Sequence, residues 1–173
     1  ILYMKSKTPK DSLTIQTNLV MPNDTNQMHT LFGGKLLAWM DEVASICAFR
    51  HCNNIAVTAS INNVSFDLPI LNGAYVTLEA KVSRAFKSSM EIFVDVFVES
   101  RDGRKEKCNE AILTFVAIDE HKRPVVVPEL SPETEQEKQR YASALRRRQL
   151  SLVLAGKMDP KGATELKSLF LGE

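Results

Sequence analysis

Apolar and polar residues alternate at period two in several stretches of the chain, and each such stretch predicts a half-buried strand. In residues 13–20, Leu13, Ile15, Thr17 and Leu19 oppose Thr14, Gln16 and Asn18. Residues 55–67 carry Ile55, Val57, Ala59 and Ile61 on one parity, then Val64 and Phe66 on the other, so a bulge is expected near Asn62-Asn63. Residues 74–83 set Val76, Leu78, Ala80 and Val82 against Thr77, Glu79, Lys81 and Ser83. Met90, Ile92, Val94, Val96 and Val98 then alternate with Glu91, Asp95 and Glu99, and residues 107–119 form a further strand that is apolar on both sides. Arg101-Asp102-Gly103 reads as the hairpin turn between these last two, its glycine tolerating positive φ.

The period changes after the first strand. Met21 to Phe32 has no periodicity and reads as a loop; Gly33-Gly34 then opens a helix expected to run to about Arg50. At about 100° per residue, with Leu37 as zero, Asp41 falls near 40° beside Ala48 and Ala44, while Glu42 looks the other way. Trp39, Ile46 and Phe49 occupy that other side, so the helix is apolar nearly all round and is expected to be buried. A lone carboxylate on such a helix must be hydrogen-bonded, line a cleft or do chemistry, because burying a bare charge is too costly.

The order β-α-β-β-β-β, with short links among the last four strands, predicts an α+β fold in which a curled antiparallel five-stranded sheet wraps one central helix. The strands hold more apolar surface than one helix can cover, so a sheet edge or face is expected to meet another subunit. After a composition break at Pro124–Pro128, Ser131-Pro132-Glu133 reads as the start of a C-terminal helix, with Gly156 as its terminator. Asp159-Pro160 opens a last short segment, a candidate docking helix carrying Leu166 and Phe170. The expected division is an N-terminal extension at 1–10, a domain at 11–128 and a helical tail at 129–173.

Composition narrows the function. The 173 residues are 44% hydrophobic and 25% charged, with a net charge of +1 that gives no pull toward nucleic acid or anionic membrane. No run approaches the roughly 18 apolar residues of a membrane span, and the N-terminal apolar stretch is too short for a signal peptide, with Met4 read as the natural start. Cys47, Cys52 and Cys108 show no paired spacing, which points to a reduced, cytoplasmic compartment. His51-Cys52 lacks a second ligand pair, so no metal site is expected, and Arg146-Arg147-Arg148 without interleaved aromatics reads as a solvated helix face.

The set Thr25-Asn26, Thr30-Leu31-Phe32-Gly33-Gly34, Met40-Asp41-Glu42-Val43-Ala44, Arg50-His51-Cys52, Val57-Thr58-Ala59-Ser60 and Ser88-Ser89-Met90-Glu91 resembles the acyl-CoA thioesterases of the hotdog fold, in particular the single-domain bacterial cytosolic acyl-CoA hydrolases. The likeness covers roughly residues 11–128. It implies hydrolysis of acyl-CoA to a free fatty acid and CoA, with no metal and no cofactor beyond the CoA of the substrate. It also implies a site shared across a homodimer, with pairs often assembling as trimers of dimers. Asp41 matches the catalytic carboxylate of that family, general base or nucleophile; Asn26, Thr30, Gly33 and Gly34 complete the implied catalytic set, although relatives often carry Asn or Asp where Thr30 stands. Ala59, Ser60, Ile61, Ser88, Ser89 and Met90 match CoA-contacting positions.

Elementary chemistry agrees with the resemblance. The free N–H groups at the start of a helix suit the oxyanion that a thioester carbonyl becomes. Asp41, about seven residues further on, lies roughly 10 Å away at 1.5 Å per residue, too far to serve the same carbonyl within one helix. A donor from one subunit and a base from its neighbour remove the difficulty. The rival expectations are a hotdog hydratase or dehydratase, for which His29 is the one histidine near the glycines, and a non-catalytic acyl-CoA sensor.

Overall fold

The computed structural model describes residues 4–66, 68–100 and 102–171. The chain divides into two compact units, Ile1–Ser131 and Pro132–Glu173.

The first unit contains α1 (Pro9–Ser12), β1 (Thr14–Leu19), α2 (Gly33–Cys52), β2 (Ile55–Asn62), β3 (Tyr75–Ala85), β4 (Ser89–Glu99) and β5 (Lys105–Ile118). The strands form one sheet in the order β1-β3-β4-β5-β2, every neighbouring pair antiparallel, and α2 touches all five. This is the expected curled sheet around a central helix. Val76, Leu78, Ala80 and Val82 of β3, Met90, Ile92, Val94 and Val96 of β4, and Ala111, Leu113, Phe115 and Ala117 of β5 are buried on the helix-facing side. Leu36, Met40, Val43, Ala44, Cys47 and Ala48 meet them from α2. Each large side chain so buried contributes about 1.5–3 kcal/mol.

Several expectations move. The helix is not covered all round in the single chain: Ile46 and Phe49 are 45% and 57% exposed, while Trp39 is buried. Asp41 therefore stands at the margin of the covered arc and is half-buried. The helix ends at Cys52, where Asn53 takes a left-handed φ of 52° and its N–H closes on Phe49 O. The bulge falls at Ala59, skipped in the register between Thr58↔Phe115 and Ser60↔Thr114, and not at Asn62-Asn63. The parity change read at 62–63 is the end of the strand, where Asn63 turns left-handed at φ 50°. The presumed N-terminal extension is woven into the first unit: Lys7 N–H donates to Glu129 O and Ser131 N–H to Lys7 O. At the β4–β5 hairpin Gly103 takes φ 80° as expected; Arg101 lies outside the described residues.

The second unit pairs α3 (Glu135–Leu154) with α4 (Thr164–Leu171). The cap of α3 is Thr134 and not Ser131, because Thr134 with Glu137 forms a reciprocal capping box that a serine four positions before the helix cannot make. Gly156 ends the helix at φ 67°, and Gln149 Oε1 accepts the N–H of Leu166 at 2.9 Å, tying the start of α4 to α3. No helix among the described residues is long and apolar enough to cross a membrane.

Candidate active site

The loop before α2 is more ordered than its sequence suggests. Pro22–Asp24 makes one tight turn, Thr25 pairs with Leu31, and Leu31 N–H donates to Ile70 O at 2.7 Å. At its tip the Asn26 Oδ1 accepts three donors: Met28 N–H at 2.9 Å, Thr30 N–H at 3.3 Å and the Thr30 hydroxyl at 3.1 Å. Three donors on one oxygen fix the carboxamide's orientation and leave Nδ2 as a donor with no acceptor among the described residues. Thr30 thus acts on Asn26. His29 holds a left-handed φ of 58° in this loop, and its carbonyl accepts the Asn72 N–H.

Phe32 is the N-cap of α2 and supplies no side-chain acceptor. Lys35 and Leu36 N–H return to Phe32 O, leaving those of Gly33 and Gly34 without an acceptor among the described residues. The glycines also admit two aromatic rings. A Cβ on Gly33 would sit 3.4 Å from the Phe66 ring, and one on Gly34 would sit 3.0 Å from that of Phe32. Asn26, Thr30 and Gly33, together with Asn109 of β5, line a cavity of about 340 Å³ whose remaining wall is Leu31, Leu36, Phe66, Leu68, Pro69 and Ile70. Donors and an apolar chamber therefore meet at the positive end of the helix dipole.

Asp41 is not among the residues of that wall. Its Oδ1 accepts the Thr58 hydroxyl of β2 at 2.7 Å, and Oδ2 has no hydrogen-bond partner among the described residues. Elsewhere on these two elements large apolar side chains are exposed: Ile46 and Phe49 on the other side of α2, and Ile55, Val57 and Ile61 on the edge strand β2. Ile55 pairs with Ile118 and Val57 with Val116, on the sheet face turned away from α2, whereas past the bulge Ile61 pairs with Leu113 of the helix-facing row. An exposed apolar patch of this kind marks an interaction surface.

Of the six positions expected to meet CoA, Ala59 and Ile61 are exposed, and Ser60 and Ser88 are half-buried. Ser89 is buried, and Met90 lies wholly within the core, packed in the helix-facing row of β4. β5 lies between the two segments, pairing Ser60 with Thr114 and Ser89 with Val116. His51 is a buried structural group whose Nε2 meets Pro128 O at 2.8 Å, and the Cys52 thiol donates to Asn54 O. Burial pushes the Cys47 thiol up to about 12. Sequence reasoning missed Thr58 and Asn109 as site residues. Both are polar positions on helix-facing rows, a signal that the alternation of β2 and β5 carries once the register is known.

One long helix held by a curled antiparallel sheet, with a donor-lined cavity at its start, defines a hotdog domain of thioesterase type. A family model described as the thioesterase superfamily matches residues 28–104. The chain is 45% identical over 139 residues to the uncharacterized acyl-CoA thioester hydrolase YkhA of Bacillus subtilis, a match covering 80% of this chain and 81% of that protein. The chain belongs to the hotdog acyl-CoA hydrolases of the thioesterase superfamily. It spans 38% of the cytosolic acyl coenzyme A thioester hydrolase of rat, at 33% identity over 144 residues and 82% of this chain.

Among solved structures, the acyl-CoA hydrolase of Staphylococcus aureus, in complex with butyryl coenzyme A, coenzyme A and coenzyme A disulfide, superposes with a TM-score of 0.83 at 35% identity, over 88% of this chain and 95% of that one. A hexameric acyl-CoA thioesterase gives 0.84 at 40% identity, over 88% and 98%. Variants of the Staphylococcus enzyme replacing an aspartate, an asparagine or a threonine by alanine also match.

Proposed function

We propose that this acyl-CoA thioesterase hydrolyses its substrate in a site that two copies of the chain complete, donors from one and carboxylate from the other. The thioester carbonyl lies at the start of α2, accepting hydrogen bonds from the Gly33 or Gly34 N–H and from Asn26 Nδ2. Asp41 of the partner copy, held through Oδ1 by Thr58, takes a proton on Oδ2 from a water molecule as that water attacks the carbonyl carbon. The carbon–sulfur bond then breaks, the carboxylic acid forms, and the CoA sulfur leaves with the proton that Asp41 returns. This chemistry needs only water, a carboxylate and N–H donors, so no cofactor is assigned.

The observation that carries the reading is the separation of the two halves: the donors border the cavity, while Asp41 lies outside its wall, held by Thr58 of β2. The altered asparagine, aspartate and threonine of the Staphylococcus enzyme support it, because they stand at the same mutual spacings as Asn26, Asp41 and Thr58. The hexameric relative supports a homodimer that assembles further. The rat relative, described as cytosolic, and the buried free cysteines support a cytoplasmic location. Ser60 and Ser88, on either side of β5, are the hydroxyls assigned to CoA.

Complementation tests the shared site. Asp41→Ala and Asn26→Ala proteins, each inactive alone, are mixed, subunit-exchanged and assayed for thioester cleavage. Random pairing leaves one intact site in each mixed dimer, so activity returns to roughly a quarter of the unmodified level. No recovery, with exchange demonstrated by differently tagged copies, refutes the shared site.

A further inference from the structure

The apolar wall of the cavity has two kinds of member. Leu31, Leu36 and Ile70 are 9%, 2% and 4% exposed, so they have little surface left to give to a ligand. Phe66 is 55% exposed and Leu68 46%. Both belong to the irregular stretch that follows β2, past the left-handed turn at Asn63. The hydrophobic gain of binding scales with the apolar area removed from water, so it falls chiefly to these two side chains, of which the phenyl ring is the larger. They differ in their distance from the donors. Cε1 and Cζ of Phe66 lie 3.4 Å from where a Cβ on Gly33 would stand, and Leu68 does not come within 4 Å of that point. A Cβ stands about 2.5 Å from its own amide nitrogen, so the ring edge is within about 6 Å of the Gly33 N–H.

We propose that Phe66 is a specificity-determining residue: its ring binds the first carbons of the acyl group and makes the enzyme favour apolar acyl groups over acetyl. This rests on the hydrolase reading above and adds the substrate class to it. A carbonyl oxygen that accepts the Gly33 N–H lies about 2.9 Å from the nitrogen, which brings the carbons attached to that carbonyl within reach of the ring. An acetyl group offers the ring a single methyl. A butyryl group adds two methylenes, and they cover ring surface that is in contact with water in the free chain. The gain comes from the ring's own exposed surface and not from enclosure, so it does not depend on how far the cleft is closed. Leu68, away from the donor, meets only carbons further along the chain.

The test compares kcat/KM of the full chain for acetyl- and butyryl-CoA in the unmodified protein, Phe66→Ala, Phe66→Gln and Leu68→Ala. The unmodified enzyme favours butyryl-CoA. Phe66→Ala lowers the butyryl-to-acetyl ratio about ten-fold, the usual worth of lost methylene contacts. Phe66→Gln keeps much of the bulk without the apolar surface and lowers the same ratio, and it carries the test if the alanine variant does not fold. Leu68→Ala lowers the ratio less; an equal or larger drop there overturns the assignment to Phe66. A residue that only holds the fold slows both substrates alike, so an unmoved ratio in a folded Phe66 variant also overturns it. So does a Phe66 variant that size-exclusion chromatography shows to have come apart into single chains, because the ring then serves an interface. Equal cleavage of the two thioesters by the unmodified protein refutes the preference and leaves the hydrolase reading standing. If the unmodified protein cleaves neither, the hydrolase reading itself has failed, and the role of Phe66 with it.

Discussion

The two ends of the candidate site differ in how much of each a single chain completes. At the start of α2 the donors are finished. Asn26 is oriented by three hydrogen bonds, the first N–H groups of the helix are open, and a chamber stands beside them. At Asp41 the carboxylate is oriented by Thr58, is half-buried and lies outside the wall of that chamber. The contrast teaches that preorganisation and enclosure have separate sources here. Hydrogen bonds within one chain aim both groups, and in the proposed site a second copy closes over the acid.

The strongest way to break this comparison is to remove the acid. Asp41→Ala takes away the proposed general base and is expected to lower kcat by about 10² to 10⁴, while CoA affinity measured by calorimetry stays within a few-fold, because the chamber and donors are untouched. A variant that keeps near-normal turnover would show that Asp41 is structural. Removing a donor is the next largest test. Asn26→Ala costs about 10² to 10³ in kcat, as for other single oxyanion donors, and it frees the Thr30 hydroxyl from its acceptor. Thr30→Val keeps two of the three donors on Asn26 Oδ1 and is expected to lose far less. Equal losses in the two variants would place the donor on Thr30.

How much of this was legible beforehand follows from the range of each interaction. The strands, the central helix and its diglycine could be read because alternation and helical period are local signals. Asp41 stood out because a carboxylate at its angle conflicts with burial. What was misread depended on partners far along the chain. The outward direction of Ile55 and Val57 is fixed by the register of β2 on β5, and the bulge at Ala59 by that same pairing. The cap at Thr134 was a local signal passed over, since the Glu three residues later was present in the sequence. Asn109 as a cavity wall could not be seen at all, because its neighbours come from the 66–70 loop and the helix start.

A finer test acts on orientation alone. Thr58→Val is nearly isosteric and removes the hydrogen bond that holds Asp41 Oδ1. A hydrogen bond to a charged group contributes about 1.5–3 kcal/mol, so kcat falls roughly ten-fold to a hundred-fold, with KM little changed. If turnover is unaffected, the acid needs no hydrogen bond from Thr58 to be positioned, and the asymmetry drawn between the two ends loses half its content.

The smallest effect belongs to the far end of α2, which serves neither half of the site. Burial of the His51 ring lowers its pKa below the usual histidine range of about 6.5, outweighing the hydrogen bond to Pro128 O; nearby Lys7 acts in the same direction as burial and Asp11 against it. Nδ1 is buried without a partner among the described residues, consistent with a neutral ring. The sign follows from the direction of the shift. A base held neutral in the fold binds its proton more readily when unfolded, so stability is full above about pH 6.5 and declines as the pH drops below it. His51→Gln preserves an N–H for the Pro128 carbonyl and removes the titration, so its urea midpoint declines less between pH 7 and 5 than that of the unmodified chain. Equal slopes would assign the acid sensitivity to other groups. Thioesterase activity of His51→Gln at pH 7.5 stays unchanged, because the two working ends of the site lie on α2 before this residue and on other elements, and none of their hydrogen bonds passes through it.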